Sequence, residues 1–197
     1  MQTAKIAAVL LSLAAFSSAW AEGPKVGDAA PDFSLVDQNG KTVKLSDFSG
    51  KIVVLEWFNN ECPFVQKQYK TGAMNDLASK YATKGVVWLA INSTSSADAS
   101  KNAAVAKQWN IDRPILDDHG GSVGRLYGAT NTPNMYIIDA HGKLAYRGAI
   151  DSIRSADEAD IAKAKNYVAA ALDELLAGKP VSTSETQPYG CTVKYGA

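Results

Sequence analysis

Seven nearly continuous apolar residues, Ile52-Val53-Val54-Leu55-Glu56-Trp57-Phe58, lead into Asn59-Asn60-Glu61-Cys62-Pro63 and a stretch with helical spacing. This junction constrains the fold more than any other part of the chain. A β-branched run of that length, bounded by turn residues, is a strand buried on both faces. Such a strand needs a layer of cover on each side, which selects an α/β architecture. Pro63 suits the first position of a helix, where its missing N–H costs nothing. Cys62 then occupies the helix N-cap.

The flanking patterns extend this frame. Val65, Tyr69, Met74, Leu77 and Tyr81 recur at helical intervals, with a break at Gly72. Residues 86–91 form a second buried strand, 97–109 a helix and 122–127 one or two helical turns. Residues 135–138 and 143–147 flank Asp139-Ala140-His141-Gly142 as a hairpin. Residues 157–177 predict one long amphipathic helix, stopped by Gly178 with Pro180 beyond. Near the start, residues 32–36 and 42–45 flank Asp37-Gln38-Asn39-Gly40, a strong hairpin signal. The expected fold is α/β: a mixed central sheet flanked by helices, with an N-terminal β-hairpin extension.

The chain opens with a different kind of segment. Lys5 precedes eleven residues, Ile6 to Phe16, interrupted only by Ser12, and Ala19-Trp20-Ala21 follows with small residues in an A-x-A arrangement. That is the pattern of a cleavable secretory signal, and the apolar run falls short of the about 20 residues that span a bilayer. The predicted organisation is a signal peptide over 1–21, one domain over 24–178 and an extended arm over 179–197. Cleavage leaves no stable membrane anchor. It also places the chain in the periplasm, or outside the cell, where disulfides persist.

Charge and cysteine content narrow the function. Twenty Lys and Arg balance twenty Asp and Glu, which excludes the basic excess of a nucleic-acid binder. Two cysteines are too few for a four-thiolate zinc site. His119 and His141 sit beside glycines in turns, as exposed loop residues do. No metal or cofactor is expected.

The remaining signals concern thiol chemistry. At a helix N-terminus, free N–H groups and the positive dipole end favour the Cys62 thiolate. The strand end presents that sulfur at the carboxyl edge of the sheet. Glu56, inside the buried strand, is expected to have a raised pKa through desolvation and to be able to shuttle protons. Thr132-Pro133 enters a strand, and either prolyl isomer is compatible with it. Arg147 ends a strand that approaches the site, and Trp57 and Phe58 are expected to pack around Cys62. The second cysteine, Cys191, lies between Tyr189 and Tyr195 on the arm.

Pro31-Asp32-Phe33-Ser34-Leu35, Asn39-Gly40, Leu45-Ser46-Asp47, the buried strand, Cys62-Pro63 and Thr132-Pro133 together resemble the thioredoxin superfamily. Within it, the chain is most similar to the redoxin branch of alkyl hydroperoxide reductase and thiol-specific antioxidant proteins. The resemblance covers about residues 24–177 and implies a thioredoxin-like fold. It also implies Cys62 as nucleophile, Glu56 as buried proton acceptor, and Thr132 and Pro133 as the loop facing the sulfur and holding the partner. Two departures limit the transfer. Val65 stands where a C-x-x-C motif has its second thiol, and Leu55 and Asn59 replace the Pro and Thr of peroxiredoxins. Asn59 retains the capacity to hydrogen-bond a peroxide.

Three readings follow. In the first, Cys62 exchanges disulfides with a protein partner and Cys191 resolves. In the second, Cys62 reduces a small hydroperoxide and becomes a sulfenic acid, with which Cys191 condenses. Both need an external thiol reductant. In the third, a Cys62–Cys191 disulfide staples a redox-inert binding domain.

Overall fold

The computed structural model describes residues 23–196; the expected signal segment lies outside them. Seven strands form one mixed sheet: β1 (Ser34–Asp37), β2 (Thr42–Lys44), β3 (Val53–Trp57), β4 (Val87–Asn92), β5 (Ile115–Asp117), β7 (Asn134–Ile138) and β8 (Leu144–Gly148). Their spatial order is β2-β1-β5-β4-β3-β7-β8. β3, β4 and β5 run parallel, while β7, β8, β1 and β2 pair antiparallel. A separate pair joins β6 (Asn131–Thr132) to β9 (Cys191–Thr192). No helix among the described residues is long and apolar enough to cross a membrane.

Alternation along β3 divides the core. Val53, Leu55 and Trp57 pack on one face with Leu89, Ile91, Tyr136 and Tyr127, the last residue of α4 (Ser122–Tyr127). Val54 and Phe58 pack on the other, against α1 (Pro63–Lys70), α2 (Ala73–Ala82), α3 (Ala99–Gln108) and α5 (Tyr167–Leu176). Phe58 therefore shares a cluster with Cys62, as expected, but Trp57 does not. It points through the sheet, 4.9 Å from the Tyr136 ring, because adjacent strand residues face opposite sides.

Gly72 separates α1 from α2 with φ +80°, the backbone conformation that favours glycine. The N-terminal hairpin forms as expected, and the Asp37 carboxylate closes its turn by accepting from the Asn39 and Lys41 N–H groups. Two elements escape the sequence patterns. β5, after Pro114, is three residues long and too short to show a period. β9 lies in a Gly/Pro-containing tail with no strand-like alternation.

The long helix expected over 157–177 is a correction. Asp157 caps a short 3-10 turn, Glu158–Lys163, and Ala164 is extended. α5 then starts afresh, with the Asn166 side chain accepting from the Ala169 N–H at 2.8 Å. Two capping residues nine positions apart outweigh one continuous amphipathic period, since each satisfies N–H groups that a single helix would not leave free. Asn166→Ala is expected to cost about 1 kcal/mol and to lower the thermal midpoint by about 2–4 °C. Asn166→Ser is the control: it keeps a capping oxygen and should restore most of that loss in a thermal melt.

Candidate active site

β3 ends beside a turn in which the Asn59 carboxamide oxygen accepts from the Glu61 N–H at 2.8 Å, and the Asn59 carbonyl accepts from the Cys62 N–H at 3.1 Å. This turn seats Cys62 as the N-cap of α1, with Pro63 as its first residue. Asn59 is itself buried, and with Asn60, Asn92, Thr94 and Lys101 it lines a cleft of about 220 Å³.

The exposed sulfur expected at the strand end is instead covered: Cys62 is 1% exposed. Its Sγ donates to the Thr132 carbonyl at 3.0 Å. The cover is the C-terminal arm, which returns as β9 and pairs Cys191 with Thr132. The Thr132–Pro133 peptide bond is cis. A Cβ at Gly190 would collide with the Thr132 carbonyl oxygen, so only glycine lets the arm come this close. Beyond Cys191, the Val193 N–H bonds to the Thr130 carbonyl at 3.0 Å and the Tyr195 hydroxyl to the Ala129 carbonyl at 2.8 Å. Upstream, Arg147 pairs with Glu185 at 2.6 Å, so this strand-end arginine holds the arm.

Both cysteines are free thiols, and Cys191 pairs with Thr132, the residue whose carbonyl the Cys62 thiol meets. Burial alone would raise the Cys62 pKa. The Cys191 thiol, the Thr132 side chain and the Cys191 and Val65 backbone N–H groups outweigh it and hold Cys62 below the ordinary thiol value. Burial and the neighbouring Cys62 sulfur push Cys191 up to about 11. The pair is therefore polarised, with Cys62 the readier thiolate.

Glu56 is fully buried, and burial raises its pKa despite the opposing Arg113 charge and two donors. Its carboxylate accepts from the Tyr69 hydroxyl at 2.9 Å and the Trp88 indole N–H at 2.9 Å, and lies 3.8 Å from Arg113. Arg113 also donates to the Tyr69 hydroxyl at 2.8 Å and to Asn75 at 2.9 Å. Tyr69 and Trp88 register in the sequence only as apolar residues. Arg113 follows Asn110-Ile111-Asp112 in a loop with no pattern, and Lys67 and Asp151, both buried, read there as surface charges. None of these carries a sequence signal that would have marked it. His119 is exposed beside Asp117, and His141 is exposed in its turn.

The model of the AhpC/TSA family matches residues 26–147. A thiol-disulfide oxidoreductase ResA from Bacillus thuringiensis subsp. konkukian is 34% identical over 123 residues, 62% of this chain and 69% of that protein. A chloroplastic peroxiredoxin Q from Triticum aestivum is 34% identical over 128 residues, 61% of this chain and 57% of its own length. Among solved structures, a putative thiol:disulfide interchange protein DsbE from Chlorobium tepidum aligns with a TM-score of 0.59 and 28% identity, over 76% of this chain and 99% of that one. The fold is thus thioredoxin-like, and the chain belongs to the AhpC/TSA family. The expected enzyme class, oxidoreductase, agrees with both named relatives.

Proposed function

We propose that this protein is an extracytoplasmic thiol–disulfide oxidoreductase in which Cys62 attacks and Cys191 resolves. The observation that carries the reading is the β6–β9 pairing, which sets Cys191 opposite Thr132, whose carbonyl accepts from the Cys62 thiol. The sequence pattern expected of an export signal over 1–21 supports the location, and the thiol–disulfide enzymes among the relatives support a protein disulfide as substrate.

With the arm lifted, the Cys62 thiolate attacks one sulfur of a partner disulfide. A mixed disulfide forms, and the partner's second sulfur leaves as a thiolate that takes up a proton. The arm closes, and Cys191 loses its proton and attacks the Cys62 sulfur. The partner's first sulfur leaves and is protonated, completing a two-electron reduction of the partner. The Cys62–Cys191 disulfide holds the oxidising equivalents until an external dithiol reduces it.

Thr132 and Pro133 form the edge against which a partner segment lies when the arm is away. Glu56 spends its carboxylate on Tyr69, Trp88 and Arg113. In this scheme it steadies α1, the helix that Cys62 heads, through Tyr69.

Stopped-flow mixing tests the reading against its peroxidase alternative. Reduced protein should reduce a mixed-peptide disulfide stoichiometrically while consuming hydrogen peroxide no faster than a free thiol of similar acidity. Rapid one-to-one peroxide consumption with a Cys62 sulfenic acid would transfer the assignment to the peroxidase, for which buried Asn59 is the nearby polar side chain.

A further inference from the structure

Tyr189, two residues before Cys191, is buried within a polar cluster that the reaction scheme leaves unused. Its ring meets Phe64 edge-on at 5.8 Å, and its hydroxyl donates to the Asp151 carboxylate at 2.5 Å. Asp151 is buried as well, and also accepts from the Ile153 N–H at 3.0 Å and the Gln68 carboxamide at 3.2 Å. The Lys67 ammonium lies 3.9 Å from the same carboxylate and 5.7 Å from the Tyr189 ring centroid. It is buried, with no hydrogen-bond partner among the described residues. Lys67 and Gln68 sit on α1, the helix that Cys62 heads, so one end of the cluster is fixed to the nucleophile's helix and the other to the arm.

We propose that Tyr189, Asp151 and Lys67 form a latch that presents Cys191 to Cys62, and that this latch sets the redox equilibrium of the pair. The inference rests on the exchange reaction proposed above. The effect is one of effective concentration. A cysteine on a free arm pays the entropy of closure each time the disulfide forms, whereas an arm already anchored beside Cys191 has paid it in the reduced protein. The anchor is a charge-assisted hydrogen bond inside a buried site, where such a bond is strong. Gly190 and the Val193 bond to Thr130 leave Cys191 little freedom between its two fixed neighbours.

The alternative is that Tyr189 is ordinary core, stabilising reduced and oxidised protein equally. The two differ in the redox potential, which ordinary core packing would not move. The test is equilibration of the full chain, Tyr189→Phe and Asp151→Asn in dithiol/disulfide buffers, followed by thiol trapping and mass spectrometry. Phenylalanine fills the same socket, and circular dichroism confirms that each variant is folded. Tyr189→Phe should lower the equilibrium constant for the intramolecular disulfide about tenfold, making the potential less negative by about 30 mV. It should also speed alkylation of Cys62 in the reduced protein several-fold, because the cover lifts more often. Asp151→Asn should shift both quantities in the same direction, and it carries the test if Tyr189→Phe does not fold. A reversible wild-type couple with an unchanged midpoint in the folded variants would overturn the latch and leave the exchange reaction standing. A wild type that never forms the bridge would overturn both.

Discussion

Cys62→Ser is expected to reduce disulfide exchange at least about a hundredfold at pH 7. Exchange requires a thiolate, and Cys191 cannot take over. Held at about 11, Cys191 is ionised to only about one part in 10⁴ at neutral pH. Even without the Cys62 sulfur beside it, an ordinary thiol near 9 would be ionised to about one part in a hundred. Cys191→Ser should behave differently. Attack by Cys62 survives, but the mixed disulfide loses its resolving thiol and accumulates as a covalent adduct with the partner. Mass spectrometry of acid-quenched mixtures reads both outcomes. Equal turnover by the wild type and Cys62→Ser would remove Cys62 from the reaction.

The second large effect concerns stability. Arg113→Met should cost about 3–5 kcal/mol at neutral pH, the usual penalty for removing one partner of a buried ion pair. Glu56 would be left in the core with only Tyr69 and Trp88 as donors. The sign of the pH dependence follows from its raised pKa. Below the ordinary carboxyl value of 4.5, Glu56 is protonated in folded and unfolded chains alike, and its contribution to stability is full. As pH rises through the folded value, the unfolded chain has already released its proton, and that contribution is lost. Removing the Arg113 charge takes away the main influence opposing burial and widens this window upward. Urea unfolding of both proteins should therefore show the smallest deficit near pH 4.5 and a larger one at pH 7. A deficit independent of pH would mean that the loss of Arg113 packing, against the rings of Tyr69 and Trp88, is the whole effect.

The elements legible in the sequence are those whose signal is local. β3 announces itself through an unbroken apolar run, the N-cap position of Cys62 through Pro63, and the division of α1 from α2 through Gly72. What the sequence conceals depends on chain segments meeting at long range. β9 exists because Thr132, 59 positions earlier, presents a free backbone edge to Cys191. Glu56 was identifiable as a buried acid, but its partners come from α1, β4 and the loop before β5, which no spacing rule connects. Lys67 sits on the buried side of α1 with a charge that a periodicity argument assigns to solvent. The same long-range closure explains why Cys62, placed correctly at its helix, is covered: its cover is the arm, whose return path is invisible until the sheet has formed.

The most direct measurement of the central claim is the midpoint potential of the Cys62–Cys191 couple in the wild-type chain, by redox-buffer titration with mass-spectrometric counting of trapped thiols. The exchange reaction predicts a reversible two-electron transition between about −120 and −270 mV, within the range of disulfide-exchange catalysts. A bridge that stays closed below about −300 mV, or two thiols that never join, would contradict it.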